Sequence, residues 1–252
     1  MPISSSALIR PRPRPDAPET LVCLSFCGGG TSPMRAWART APERVEVALV
    51  CYPGREGRYS EPFAPTWSNL VDDVLHTVEP ILDRPFTLMG HSMGGWVAFD
   101  VAVELRRRGQ PTPEHLVVSA AEPPTRWRAK QASSPRYTDT DDQLVAWMRS
   151  VGQINEQILA EPDLRAMAVD LLRADLGMRD SYRYVPGTAV DIPMTVLYGA
   201  EDRGVNRRAA EGWRDLTMRG CVIKELPGGH FYDAATWPAL PAQMLPAEPA
   251  IS

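Results

Sequence analysis

Nowhere in the sequence does an apolar run approach the length needed to cross a bilayer, and the first twenty residues hold nothing resembling the apolar core of a signal peptide. A membrane span or a secretory leader is therefore not expected, and the cytoplasm is the expected setting. A basic excess is missing too: 27 Lys and Arg against 31 Asp and Glu leave a net charge of −4 and a pI near 5.6. Such a balance argues against nucleic acid as a partner, because neutralising phosphates needs a dominant basic surface. Cysteine is scarce. Cys23, Cys27, Cys51 and Cys221 sit in apolar, strand-like contexts without C-x-x-C spacing or adjacent histidines, so they read as buried thiols and not as zinc ligands or disulfides. No internal repeat is present, and the glycine run Gly28-Gly29-Gly30 lacks both the G-K-[ST] ending and the G-x-G-x-x-G spacing of phosphate-binding loops. Only four histidines exist, which narrows any search for a general base.

What is present suits one α/β domain. A chain of 252 residues that is 44% hydrophobic can bury a sizeable core. Proline, 25 residues, concentrates at the two ends and between Glu122 and Pro135, so residues 1–20 and 241–252 are expected to be loose tails around a domain spanning 21–240. Within it, strand-like runs at Leu21–Phe26, Val45–Cys51, Pro85–Met89, Leu116–Ala120, Met194–Tyr198 and Cys221–Leu226 alternate with helical patterns. Alternation of this kind predicts a mostly parallel sheet with helices on both faces. The segment Trp67–Leu82 carries a helical stripe (Leu70, Val71, Val74, Leu75, Val78) behind the start signals Pro65 and Thr66. From Thr138 to Tyr184 the rhythm breaks into consecutive helices (Asp141–Val151, Asn155–Leu159, Asp163–Ser181) with no strand between them. An all-helical insertion in such a sheet is a lid candidate, with Leu144, Trp147, Met148, Ile154, Ile158, Leu159 and Met167 expected to line an apolar chamber.

The chemistry is concentrated in Gly90-His91-Ser92-Met93-Gly94, which follows the buried-strand run Phe86–Met89 and opens a helix from Met93 to Arg108. A strand-to-helix turn this tight strains the serine backbone, requires small residues two positions away on each side, and pushes the hydroxyl out at the sheet edge. Serine is a poor nucleophile until a base takes its proton. His91 is within the elbow, His76 lies mid-helix and His115 precedes a strand at the opposite end, which leaves His230 in the glycine-rich loop after the last strand. An acid to orient that histidine is expected between Ser92 and His230 in the chain order Ser…Asp…His. Asp202, just past the Met194–Tyr198 strand, is favoured; Glu122, just past Leu116–Ala120, is the alternative. An oxyanion needs two backbone N–H donors: that of Met93, directly after the nucleophile, and that of Cys27, at the head of the glycine loop after the first expected strand.

These residues resemble the type II thioesterases that accompany polyketide and nonribosomal peptide synthases, and through them the α/β-hydrolase fold. The resemblance rests on Phe26–Gly30; on Tyr52-Pro53-Gly54-Arg55 with Arg58 and Glu61; on the elbow; on Leu116–Ser119; on Leu171–Asp175 with Tyr182-Arg183-Tyr184; and on Gly228-Gly229-His230-Phe231-Tyr232. It implies hydrolysis of acyl or aminoacyl thioesters from the phosphopantetheine arm of an acyl or peptidyl carrier protein, with no cofactor, and it favours Asp202. The chain departs from the family at Ser25-Phe26-Cys27-Gly28-Gly29, where Pro-His/Tyr-Ala-Gly-Gly is usual, and at Trp96, where a smaller residue is common. Trp96, Trp147 and Met148 are the expected acyl-contacting side chains. Because carrier domains of this class are acidic, Arg126, Arg128 and Lys130, after the Leu116–Ala120 strand, are the expected docking cations. A carboxylesterase, a lipase, a chain-releasing cyclase or an inactive binding module on the same fold are the competing readings.

Overall fold

The computed structural model describes residues 7–126 and 134–245. Seven strands form one sheet in the order β1-β3-β2-β4-β5-β6-β7: β1 Leu8–Ile9, β2 Glu19–Leu24, β3 Val45–Val50, β4 Phe86–His91, β5 His115–Ser119, β6 Met194–Gly199 and β7 Cys221–Leu226. All neighbours pair in parallel except β1, which runs antiparallel to β3. Because strand residues alternate between faces, the sheet divides its own core. Val22, Leu24, Leu88, Leu116, Val118 and Val196 point to one side. There they meet helices α2 (Trp67–Val78) and α3 (Met93–Arg107). Leu21, Cys23, Val47, Leu49, Met89, Val117 and Leu197 point to the other, under Met34 and α1 (Trp37–Thr40). The Thr66 side chain caps α2 by accepting from the Asn69 N–H.

Between β5 and β6 lie the three consecutive helices expected from the sequence, α4 Asp141–Ser150, α5 Glu156–Ala160 and α6 Pro162–Asp180. Thr140 and Gln143 close a capping box at the start of α4. Leu144, Met148 and Leu159 are buried in the same core cluster as the α2–α3 face, with Trp147 and Ile154 half-buried against it. Met167 is 48% exposed and does not line an interior, a correction to the expected list. After β6 come α7 (Arg207–Glu211) and, beyond β7, α8 (Thr236–Ala239) and α9 (Pro241–Met244).

Both expected tails are shorter than the proline content suggested. Leu8 and Ile9 pair with Val50 and Leu49, so the chain is bound to the sheet well before residue 20. Arginine supplies the reason: Arg14 Nη1 donates to the carbonyls of Pro42 (2.6 Å) and Val45 (2.8 Å), and Arg10 pairs with the buried Glu46 carboxylate at 3.2 Å. At the other end Leu240, Met244 and Leu245 are buried under the sheet, and the Trp37 indole donates to the Trp237 carbonyl at 2.8 Å. No helix among the described residues is long and apolar enough to cross a membrane.

Candidate active site

The strand order places the reactive loops together. Connections run outward on both sides of the β2–β4 pair, so the crevice at the carboxyl ends of these strands is a switch point, where α/β sheets bind ligands. The loop from Ser25 to Gly30 leaves β2 there, and Ser92 leaves β4 beside it.

Ser92 has φ 54° and ψ −122°, backbone angles that a side-chain-bearing residue adopts only under strain. The two flanking glycines make the turn sterically feasible. A Cβ on Gly90 would stand 1.9 Å from the Gly94 carbonyl oxygen, and a Cβ on Gly94 would stand 2.5 Å from that of Ser25. The elbow is further fixed by the Ser92 N–H, which donates to the Ser119 carbonyl at the end of β5 at 2.7 Å. Its hydroxyl sits at the N-terminus of α3, where the helix dipole favours developing negative charge.

His230 arrives from the loop after β7. Its Nε2 lies 3.0 Å from Ser92 Oγ and its Nδ1 lies 2.8 Å from Asp202 Oδ2. The Asp202 turn and the His230 loop are bound side by side, since the Glu201 N–H donates to the Gly228 carbonyl at 2.9 Å and the Ala200 N–H to that of Leu226 at 2.8 Å. Asp202 Oδ1 accepts from the N–H groups of Gly204 (2.7 Å) and Val205 (3.2 Å). Burial works to raise the Asp202 pKa, but the hydrogen bonds and the positive charge available on His230 outweigh it and hold the carboxyl below its ordinary value. An ionised carboxylate can only accept, so Nδ1 carries the proton and Nε2 is left to accept from the serine hydroxyl.

His91, beside the nucleophile, points away from it. Its Nδ1 lies 2.9 Å from Ser119 Oγ, which in turn lies 2.7 Å from the Tyr232 hydroxyl. Burial, with the nearby His230, lowers the His91 pKa well below its usual value and keeps the ring neutral. The chain His91, Ser119, Tyr232 ties the elbow strand to the His230 loop from beneath, and Tyr232 holds φ 58° to complete it. Phe26, one of the departures from the family pattern, packs edge-on against Phe231 with centroids 4.7 Å apart.

The remaining expected residues fall as follows. Cys27, in the loop after β2, and Met93, at the first turn of α3 directly after Ser92, are both buried. Burial pushes the Cys27 thiol far up in pKa, so the sulfur is inert. Glu122 is half-buried after β5, where its carbonyl accepts from the Trp96 indole at 2.7 Å. Trp96 is 8% exposed, stacked on Tyr182 with centroids 5.2 Å apart, and Tyr182 packs on Trp67 at 4.5 Å. Arg126 is half-buried in a short turn after β5; Arg128 and Lys130 lie outside the described residues. Two cavities, about 330 Å³ between α2, α3 and Arg183–Thr188 and about 680 Å³ between α4, α5 and α6, are not lined by Ser92.

Sequence reasoning assigned no role to Arg55, Asp175 or Gln153, which stand directly behind the glycine loop. Asp175 on α6 accepts from the Gly28 N–H at 2.7 Å and from both terminal nitrogens of Arg55 at 2.6 and 2.9 Å; Arg55 also donates to the Gly29 carbonyl at 2.7 Å. The available signal was charge, Arg55 closing Tyr52–Arg55 and Asp175 closing Leu171–Asp175, a segment that also holds Arg173.

Comparison with known proteins agrees with this architecture. Residues 19–240 match the thioesterase domain family. The chain is 31% identical to the gramicidin S biosynthesis protein GrsT of Aneurinibacillus migulanus, covering 84% of this chain and 82% of that protein. It is 32% identical to the human medium-chain S-acyl fatty acid synthase thioesterase, covering 86% and 82%. Among solved structures it superposes on RedJ, a thioesterase from the prodiginine biosynthetic pathway in Streptomyces coelicolor, with a TM-score of 0.82 at 31% identity over 90% of this chain and 84% of that one. The YbtT type II thioesterase of the yersiniabactin pathway gives 0.79 at 25% identity over 94% and 96%. This chain is a member of the thioesterase family and an α/β-hydrolase.

Proposed function

We propose that this thioesterase releases acyl or aminoacyl groups from the phosphopantetheine arm of a carrier protein through a Ser92–His230–Asp202 triad. The observation that carries the reading is the unbroken hydrogen-bonded line from Asp202 through His230 to Ser92 at the switch point of the sheet. Ser92 attacks the thioester carbonyl as His230 Nε2 takes the hydroxyl proton, and the backbone N–H groups of Cys27 and Met93 receive the oxyanion. Collapse of the tetrahedral intermediate expels the thiol, protonated by His230, and leaves the acyl group on Ser92. A water molecule, deprotonated by the same nitrogen, then attacks the acyl-enzyme, and the free acid departs with Ser92 restored. Asp202 keeps Nδ1 protonated and stabilises the imidazolium formed in both steps.

The carrier as substrate is supported by the biosynthetic relatives, GrsT, RedJ and YbtT, whose names place them in gramicidin S, prodiginine and yersiniabactin biosynthesis. Fatty acyl chains are a second reading, since similarity to the human medium-chain fatty acid synthase thioesterase is equally strong. The three-helix insertion is the lid in either case, with the half-buried Trp147 facing the acyl group, while Met148 and Trp96, expected beside it, are packed into the core and support the chamber from behind. Ser92→Ala should lose at least 99% of turnover on an acyl-carrier substrate and all labelling by a fluorophosphonate. Residual turnover of more than a few per cent would remove Ser92 as nucleophile. A panel of carrier-borne groups, aminoacyl and acyl of increasing length, separates the biosynthetic-carrier reading from the fatty-acyl one.

A further inference from the structure

The peptide joining Cys27 to Gly28 is held at both of its polar ends by the helical insertion. Gln153, between α4 and α5, donates its Nε2 to the Cys27 carbonyl at 3.1 Å, and Asp175 of α6 accepts from the Gly28 N–H at 2.7 Å. Because a peptide is planar, fixing its C=O and its N–H fixes the orientation of the whole unit. The two anchors are themselves well seated. The Gln153 backbone N–H donates to the Met148 carbonyl at 2.9 Å, and the Asp175 carboxylate, 4% exposed, forms a two-pronged ion pair with Arg55, 5% exposed. Arg55 in turn holds the next carbonyl, that of Gly29. The approach is close as well: Gly28 has φ 73°, and a Cβ there would meet Gln153 Nε2 at 2.8 Å and Leu172 Cβ at 3.1 Å. Insertion and loop are therefore in direct contact at this residue, and only glycine permits it.

From this contact we propose that Gln153 and Asp175 are positioning residues for the oxyanion-donating N–H of Cys27, so that the hydrolytic site is complete only when the helical insertion is seated on the glycine loop. The proposal rests on the reading of Cys27 as an oxyanion donor. The N–H of Cys27 belongs to the preceding peptide, whose carbonyl, that of Phe26, accepts from the Gly29 N–H at 2.9 Å; with the following peptide clamped by the insertion as well, the Cys27 φ and ψ angles that aim the N–H are held from both sides. With the insertion read as the lid, seating it does two things at once: it closes over the acyl group and it aims the donor. A thioester bound beneath an unseated insertion would meet a nucleophile without its full oxyanion hole, which couples covering of the acyl group to its hydrolysis.

The test uses the full chain with three changes. Gln153→Ala removes one anchor at a half-buried position; melting temperature checks that the fold persists. Separately, lactic acid is incorporated at position 27, replacing the N–H by an ester oxygen, with Cys27→Ala as its comparator. The third protein carries both. With a small soluble thioester, Gln153→Ala is expected to lower kcat about tenfold with KM within about twofold, and to slow fluorophosphonate labelling of Ser92 by the same factor. In the lactic-acid background it should cost nothing further, because the donor it positions is gone. An unchanged kcat for Gln153→Ala, or an equal loss in both backgrounds, overturns the proposal while leaving Cys27 as donor if the ester alone is impaired. If the ester retains the kcat of Cys27→Ala, the Cys27 reading itself fails and takes the clamp with it.

Discussion

At the residue scale, two acids near the site test whether position or burial decides function. Asp202 is joined to His230, and Glu122 lies one strand away. Asp202→Asn should lower kcat by about 10⁴-fold, since an amide can donate to Nδ1 and so favour the wrong tautomer. Glu122→Gln should stay within about twofold; the reverse ranking would shift the acid to β5. Asp100, on α3, is a different case. Its carboxylate accepts from the Trp67 indole at 2.7 Å, yet burial, with Glu104 adding like charge, pushes its pKa up to about 7. For an acid whose folded pKa is raised, the stability it contributes is present below the unfolded pKa near 4 and is lost as pH rises through about 7. Asp100→Asn keeps an oxygen for Trp67 and removes the titration. Its melting temperature should therefore gain on the parent between pH 4 and 7 and hold that advantage above, and a gain independent of pH would show that Asp100 is already ionised throughout. His91 acts in the opposite sense, since a buried neutral imidazole loses stability as pH falls below about 6.5, so the comparison must be made between variants at each pH and not along one curve.

At the scale of elements, the sequence disclosed whatever depends on short-range pattern. The strand–elbow–helix unit around Ser92 was legible because strand period, two glycines and helix period occur within about twenty residues, and six of the seven strands were found within two residues of their ends. β1 was not, because two residues have no period, and their pairing with Val50 and Leu49 depends on arginines that reach across the sheet edge. The Gln153 anchor was equally invisible, lying 126 positions from the carbonyl it holds, and the charge of Asp175 marked that residue without revealing the N–H it holds 147 positions away. Burial also separates two insertion residues that the helical pattern grouped together. Met148 is 1% exposed in the core shared by α4 and the sheet, whereas Trp147 is half-buried at its margin. Met148→Ala should cost about 2–5 kcal/mol of stability, as a cavity in a close-packed core does. Trp147→Ala should move acyl-length preference with a smaller loss of stability, measured by denaturant unfolding alongside kcat/KM over an acyl series. Equal stability losses and an unchanged preference would make both residues packing for the insertion and nothing more.

At the scale of the whole molecule, the proposed acidic carrier would meet a protein of net charge −4, so docking requires cations gathered locally against a long-range field that is repulsive. The arginines closing α3 are poorly placed for this. Arg107 and Arg108 pair with Glu104 and Asp72, at the end of α3 remote from Ser92. The segment after β5 is better placed, since β5 lies between the strands that deliver Ser92 and Asp202, and Arg126 follows its carboxyl end. Reversing charge there (Arg126→Glu, then with Arg128→Glu and Lys130→Glu) should raise KM for carrier-borne acyl groups about tenfold and flatten its dependence on salt, because attraction between separate proteins acts through a screened field. Hydrolysis of a small thioester that carries no protein should stay within about twofold, since such a substrate brings no acidic surface for these cations to attract. A parallel loss on both substrates would trace the effect to the site or the fold, and carrier recognition would then have to be sought on the insertion, whose outer surface exposes Leu164 and Met167 beside Arg165.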